Sequence, residues 1–289
     1  MIRMMRQQSG DAGFQAKAFA VNVATEGQPE PNVDPLTRIK VEQLARVAEL
    51  RVVDATGLSL EIDGRPTQIV PCSRSHWAAV TIDDYQPYTS LLGKGSTASA
   101  TTTPDVDSDN DPLGWLAPLL DMMAPMMLSM TAGSMVGHLA IRGFGSYELP
   151  VPRPAGHGVL LIVDNAVRFA RDWSLPEDDL ILWLCLHQLT HHAVLSVPHV
   201  RDRIDELLRS YLSGFQHGGM DLEAQFGSLD LSDPGAMQQQ LGSPDVLLGM
   251  AETDEQRATL PLILAIVAAV EGFVDVTMDR IGEQLIGSY

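Results

Sequence analysis

In the stretch WLCLHQLTHHAVLSVPH, Trp183 to His199, two histidines stand four residues apart, at His187 and His191. If this stretch is helical, that spacing is one turn, so both imidazoles leave the same face and can converge on one ion. A hydrolytic metal site of this kind puts a glutamate directly after the first histidine, where it takes a proton from metal-bound water. Here that position is Gln188. An amide can orient a water but cannot accept its proton. The alternative reading of the pair is two hydrogen-bonded core histidines with no metal.

A second stretch, LILAIVAAVEGFVDVTMDRI, sets Glu271 in an apolar run with Asp275 one turn further on. A carboxylate buried there needs a partner, because an unpaired buried charge is costly. A metal would supply it, making a His, His, Glu set from His187, His191 and Glu271. Asp275, on the same helical face, would then accept the far ring N–H of a ligating histidine and fix its tautomer. The competing reading is a helix cap or an ion pair to an arginine such as Arg280. Other catalytic constellations are poorer. His192 points about 100° around the helix from His191. Cys185 projects away from His187 at i, i+2, and no Ser-His-Asp or Cys-His arrangement is visible.

The elements that must position these groups read as helices. Asp34 before Pro35 marks an N-cap with proline in the first turn. Leu36, Ile39, Leu44, Val47 and Leu50 follow as the apolar stripe of a helix ending at Gly57. Asp63-Gly64 is a turn signal, and SHWAAVTIDDYQPYTSLL resumes helical character. Further helices are expected over 113–143, 159–172, 177–195, 199–213 and 254–285, the fourth with Val200, Ile204, Leu207, Leu208 and Tyr211 on one face. Strand signals are few, so the fold class is mainly α, a helical domain with little strand. Residues 1–33 read as a flexible N-terminal arm, 34–289 as the domain, 94–112 as an exposed acidic linker loop and 213–243 as a polar loop. The DVDSDND run at 105–111 has the look of a calcium loop but lacks its turn glycine and its final glutamate, which leaves a solvated acidic loop.

At 289 residues and 45% apolar content, the chain can bury a substantial core. Its net charge of −18 repels phosphate backbones and anionic lipid surfaces, which argues against nucleic acid as a partner. A peptide or protein ligand suits that field better. Two cysteines, Cys72 and Cys185, give no disulfide framework. The start, MIRMMRQQSGDAGF, has no apolar stretch of signal-peptide length, so a cytoplasmic location is expected. The run from Met122 to Ile141 has the length of a membrane span, with Gly133 and Gly137 as a small-residue pair. Pro125 and its many methionines favour a buried core helix instead, and no other stretch is expected to be long enough to cross.

Together these residues carry a resemblance. The stretches VDPLTRIKVEQLARVAELRVVDATGL, SHWAAVTIDDYQPY, AGSMVGHLA with YELPVP after it, LLIVDNAVRFARDWSLPEDDLILWLCLHQLTHHAVLSVPHVRDRI and EQRATLPLILAIVAAVEGFVDVTMD resemble a family of bacterial zincin-like, zinc-dependent metalloproteases and hydrolases. Some of its members are associated with deazaflavin-coenzyme biosynthesis. The resemblance implies zinc on His187 and His191, Glu271 as third ligand and Asp275 as its partner, in the manner of gluzincins. Three departures stand beside it. Gln188 replaces the general-base glutamate, His191 and Glu271 are 80 residues apart, and the sequence stops at Tyr289 where relatives continue. It therefore implies a zincin-type scaffold, zinc-binding but hydrolytically impaired. A non-catalytic peptide-binding module on the same scaffold and an active hydrolase with another base remain as alternatives.

Overall fold

A computed structural model describes residues 2–62, 64–98, 116–154, 156–217 and 253–285. Its described residues form eight helices and two strands: α1 (Ile2–Ala24), α2 (Pro35–Thr56), β1 (Ile69–Cys72), α3 (Arg74–Ala98), α4 (Leu116–Arg142), β2 (Val159–Ile162), α5 (Val163–Asp172), α6 (Glu177–Leu195), α7 (Pro198–His217) and α8 (Asp254–Leu285). The class is mainly α, as the periodicity indicates. The Asp105–Asp111 run and most of the 213–243 loop lie outside the described residues.

Local chemistry sets several boundaries. Asp34 caps α2, its carboxylate accepting the Thr37 N–H at 3.0 Å, and Gly57 closes the helix in the left-handed region at φ 67°. Ile62 and Arg65 exchange two backbone hydrogen bonds, with Gly64 at φ 72°. Glu30 reaches across the chain to cap α3, accepting the N–H groups of Arg74 and Ser75 at 2.9 Å each.

Four expectations change. Residues 2–24 are a helix, not a loose arm, and Ala16, Ala20 and Ala24 form its buried face. Residues 159–162 are a strand that precedes α5: VLLI is apolar throughout, with β-branched Val159 and Ile162 at its ends, which suits a strand buried on two faces. The stripe on α2 is not its core face. Val41, Ala45, Ala48 and Val52 are buried there, while Leu36, Ile39, Val47 and Leu50 are exposed. Small residues let α2 approach α6 closely, and the larger ones were left outside. Lastly, a stretch other than 122–141 has the length and apolarity of a membrane span. Among the described residues the one helix long and apolar enough to cross a membrane spans Asp254–Glu283, although it also packs on α2, α6 and α7.

The parallel pair β1–β2, in register from Ile69 opposite Val159 to Cys72 opposite Ile162, separates two cores. Val159 and Leu161 face α2, α6 and α8, whereas Leu160 and Ile162 face α1, α3 and α4. This is the two-residue alternation of a strand buried on both sides. On the second side α4 lies very close to α1: a Cβ at Gly133 would meet the Ala16 carbonyl at 2.6 Å, and one at Gly137 would meet Val23 Cβ at 2.5 Å. The small-residue pair therefore serves helix contact within the protein.

Candidate metal centre on helix α6

Helix α6 begins after Pro176 with Glu177, Asp178 and Asp179 in its first turn, favourable at the positive end of the helix dipole. Lys40 of α2 pins that end, 2.9 Å from both Glu177 and Asp178. The C-terminal half is buried almost all round, with Gln188, Leu189, Thr190, His191, His192 and Ala193 inside. Pro198 then starts α7 at 82° to α6. Helix α6 is thus held at both ends.

Of the expected set, the structure brings His191 and Glu271 together: Nε2 of His191 lies 3.3 Å from Oε1 of Glu271 on α8. Nδ1 of His191 lies 3.1 Å from the His187 carbonyl, which can only accept, so Nδ1 carries hydrogen. On a neutral ring Nε2 then presents a lone pair to the carboxylate, acceptor against acceptor. A doubly protonated ring donating to Glu271, or a cation between the two, satisfies that geometry. Glu271 is not buried as its apolar sequence context suggested; its side chain is 44% exposed. It is not paired with Arg280, which donates to the Ala55 carbonyl.

His187 lies beside His191, ring centroids 4.5 Å apart, and stacks on Trp183 at 5.0 Å. Its ring nitrogens have no hydrogen bond among the described residues. As placed, no three His, Cys, Asp or Glu side chains among the described residues are grouped to hold a metal ion. The donor chemistry therefore fits two positions of a metal, from His191 and Glu271, and His187 would have to turn off Trp183 to add a third. Asp275 is exposed one turn beyond Glu271, and the Nδ1 of His191 is held by the backbone instead.

Gln188 is 1% exposed, and its Oε1 accepts the Tyr147 N–H at 2.8 Å. The fit is close, since a Cβ on Gly145 would meet Gln188 Cδ at 2.6 Å. Glu148 shapes this turn by accepting the N–H groups of Phe144 at 2.6 Å and Gly145 at 2.8 Å.

Tyr147 is the residue that sequence reasoning missed. Its ring stacks near-parallel to His191 with centroids 6.1 Å apart, and its hydroxyl lies 2.7 Å from His192 Nδ1. His192 Nε2 is 3.1 Å from the Leu60 carbonyl, so Nε2 carries hydrogen and Nδ1 accepts from the tyrosine. Both nitrogens of His192 are committed, which removes it as an alternative base. Burial pushes the Tyr147 phenol up and the His192 imidazole down, the latter to about 4. Nothing in sequence spacing links position 147 to 188, 191 and 192; the YELPVP motif alone marks the region.

A profile of the zincin-like metallopeptidase family matches residues 14–289. The chain is also similar to a solved protein described as "a putative hydrolase with a novel fold" from Chloroflexus aurantiacus, at 19% identity and a TM-score of 0.58, covering 94% of this chain and 69% of that one. At that identity the likeness speaks for the fold alone. No curated protein matches. A profile match over nearly the whole chain, on a helical scaffold whose His191 and Glu271 converge, places the chain in the zincin-like metallopeptidase family.

Proposed function

We propose that the protein is a zincin-type scaffold that holds zinc between His191 and Glu271, with His187 as third ligand, and hydrolyses peptides poorly or not at all. The observation that carries this reading is Gln188, a buried amide beside the histidine pair with its oxygen already engaged by Tyr147 N–H. Zinc, when bound, supplies a Lewis acid and a water of lowered pKa. The chain's own residues orient the donors. The His187 carbonyl fixes the His191 tautomer and Tyr147 stacks beside the His191 ring, while Gln188, directly after His187 in sequence, carries an amide at the position where the family's proton-transferring glutamate stands. General acid–base assistance commonly contributes about 10²–10⁴ in rate, and that is the part an amide cannot provide.

The test is Gln188→Glu. The exchange is nearly isosteric and keeps an acceptor for the Tyr147 N–H. Zinc-loaded wild type should cleave a broad peptide library slowly or not at all, and the variant should gain zinc-dependent cleavage by on the order of 10². Metal content supplies the control: His191→Ala should lose bound zinc, because too few ligands remain. A zinc-loaded, folded Gln188→Glu protein that stays silent would favour a second reading, a non-catalytic peptide- or protein-binding module. That reading draws on the exposed apolar face of α2, formed by Leu36, Ile39, Val47 and Leu50.

A further inference from the structure

Trp183 stands one helical turn before His187, on the face of α6 that carries the histidine pair. It is half-buried and packs against the core, which anchors the indole as a fixed plate. The His187 ring lies against that plate, centroids 5.0 Å apart and planes only 14° from parallel. His187 meets His191 at 4.5 Å, but with the planes tilted by 58°. The row 183, 187, 191 therefore has one true stack in it, and that stack belongs to His187 and the tryptophan.

The two histidines are held in different ways. His191 has its Nδ1 on the His187 carbonyl and turns Nε2 to Glu271. The His187 side chain has no polar contact among the described residues, and the indole is what orients its ring. In that orientation the His187 nitrogens are not grouped with His191 and Glu271 as donors for one ion.

We propose that Trp183 is a positioning residue that holds His187 off the metal position, so that zinc ligation by His187 costs the stack and Trp183 sets the affinity of the site. The inference rests on the zinc reading above and adds the residue that regulates loading. When the binding-competent arrangement of a site is a minority, its apparent affinity falls by that fraction. One aromatic stack favours the held arrangement by about threefold to tenfold, and zinc binding is weakened by the same factor.

Two measurements on the full chain test this, zinc affinity by chelator competition and the His187 ring protons by NMR. Zinc-free, those protons should lie upfield, shielded by the indole face. Zinc should move them downfield, and Trp183→Leu should do so without zinc. Trp183→Leu should bind zinc about threefold to tenfold more tightly, while Trp183→Phe, which keeps an aromatic face, should stay nearer to wild type. A tryptophan that served packing alone would, once removed, leave the affinity unchanged or lower it, so a gain separates positioning from structure. Unchanged or weaker affinity in a folded Trp183→Leu protein overturns the inference, and the zinc site still stands if His191→Ala loses the metal. His187 protons that remain upfield in the zinc-loaded wild type overturn it too. Zinc that binds neither wild type nor Trp183→Leu, or that survives His191→Ala, overturns the zinc reading and this inference with it.

Discussion

Burial holds the imidazoles of His187 and His192 at about 4, well below the ordinary histidine range. At His187 the desolvation is joined by repulsion from His191, whereas at His192 the Leu60 carbonyl partly offsets it. Because the folded values lie below the unfolded one, the unfolded chain binds more protons between them. Stability is therefore complete above about pH 6.5 and is lost as pH falls towards 4. For fully buried His192 this is worth up to about 3 kcal/mol at one pKa unit per 1.36 kcal/mol; His187, partly exposed, contributes less. Urea midpoints should fall steeply from pH 7 to pH 4.5, and His192→Asn should flatten that fall. An identical slope in the variant would place the acid sensitivity elsewhere. At this scale the sequence was partly readable. The spacing of His187 and His191 announces a shared face, but the contact of His191 with Glu271, 80 residues away, is made by helix packing.

Two contacts between elements can be tested separately. Gly137 admits α1 to α4, and the Cβ of Gly137→Ala would lie 2.5 Å from Val23 Cβ and 2.9 Å from the Ala20 carbonyl. Backbone cannot give way cheaply, so the substitution should cost about 1–3 kcal/mol despite alanine's better helix propensity. Denaturant unfolding measures it, and an unchanged or higher midpoint would mean that α1 moves freely against α4. Glu30 caps α3 from outside the helix. Burial alone would raise its carboxyl, but hydrogen bonds from Ser75, Arg74 and Ser73 outweigh it and lower the value. Glu30→Ala should cost about 0.5–2 kcal/mol at neutral pH. Since the folded value is depressed, the difference between wild type and variant should shrink as the carboxylate protonates in acid. A penalty constant with pH would assign the loss to packing.

Across the whole molecule, the Arg153–Asp84 pair ties α3 to the loop that carries Tyr147 and leads into β2. Its side chains are 5% and 4% exposed, and Arg153 also lies over the Tyr85 ring at 4.8 Å. His157 adds a contact to the other Asp84 oxygen at 3.0 Å. Asp84→Ala would strand a buried guanidinium, so a loss of about 3–5 kcal/mol is expected, read as a lower unfolding midpoint. Replacing Asp84 and Arg153 together by apolar residues of similar volume should cost less than Asp84→Ala. The opposite ranking would show that the pair's hydrogen bonds, and not charge balance, hold the loop.

The sequence by itself determined most of the helices after α1, the caps of α2 and the histidine face, because those depend on residues within a turn or two of one another. Asp34-Pro35 and Gly57 bound α2 as local chemistry requires, and the one-turn spacing of His187 and His191 needs only a helix to take effect. The tertiary structure decided which faces are covered. Val41, Ala45 and Ala48 were chosen over the larger Leu36 and Leu50 because close helix approach favours small side chains. The VLLI segment became a strand because IVPC, almost 90 residues earlier, was available to pair with it. The neighbours of Gln188 and His192 were likewise set by the fold, since Tyr147 reaches them only when the turn after α4 is laid against α6.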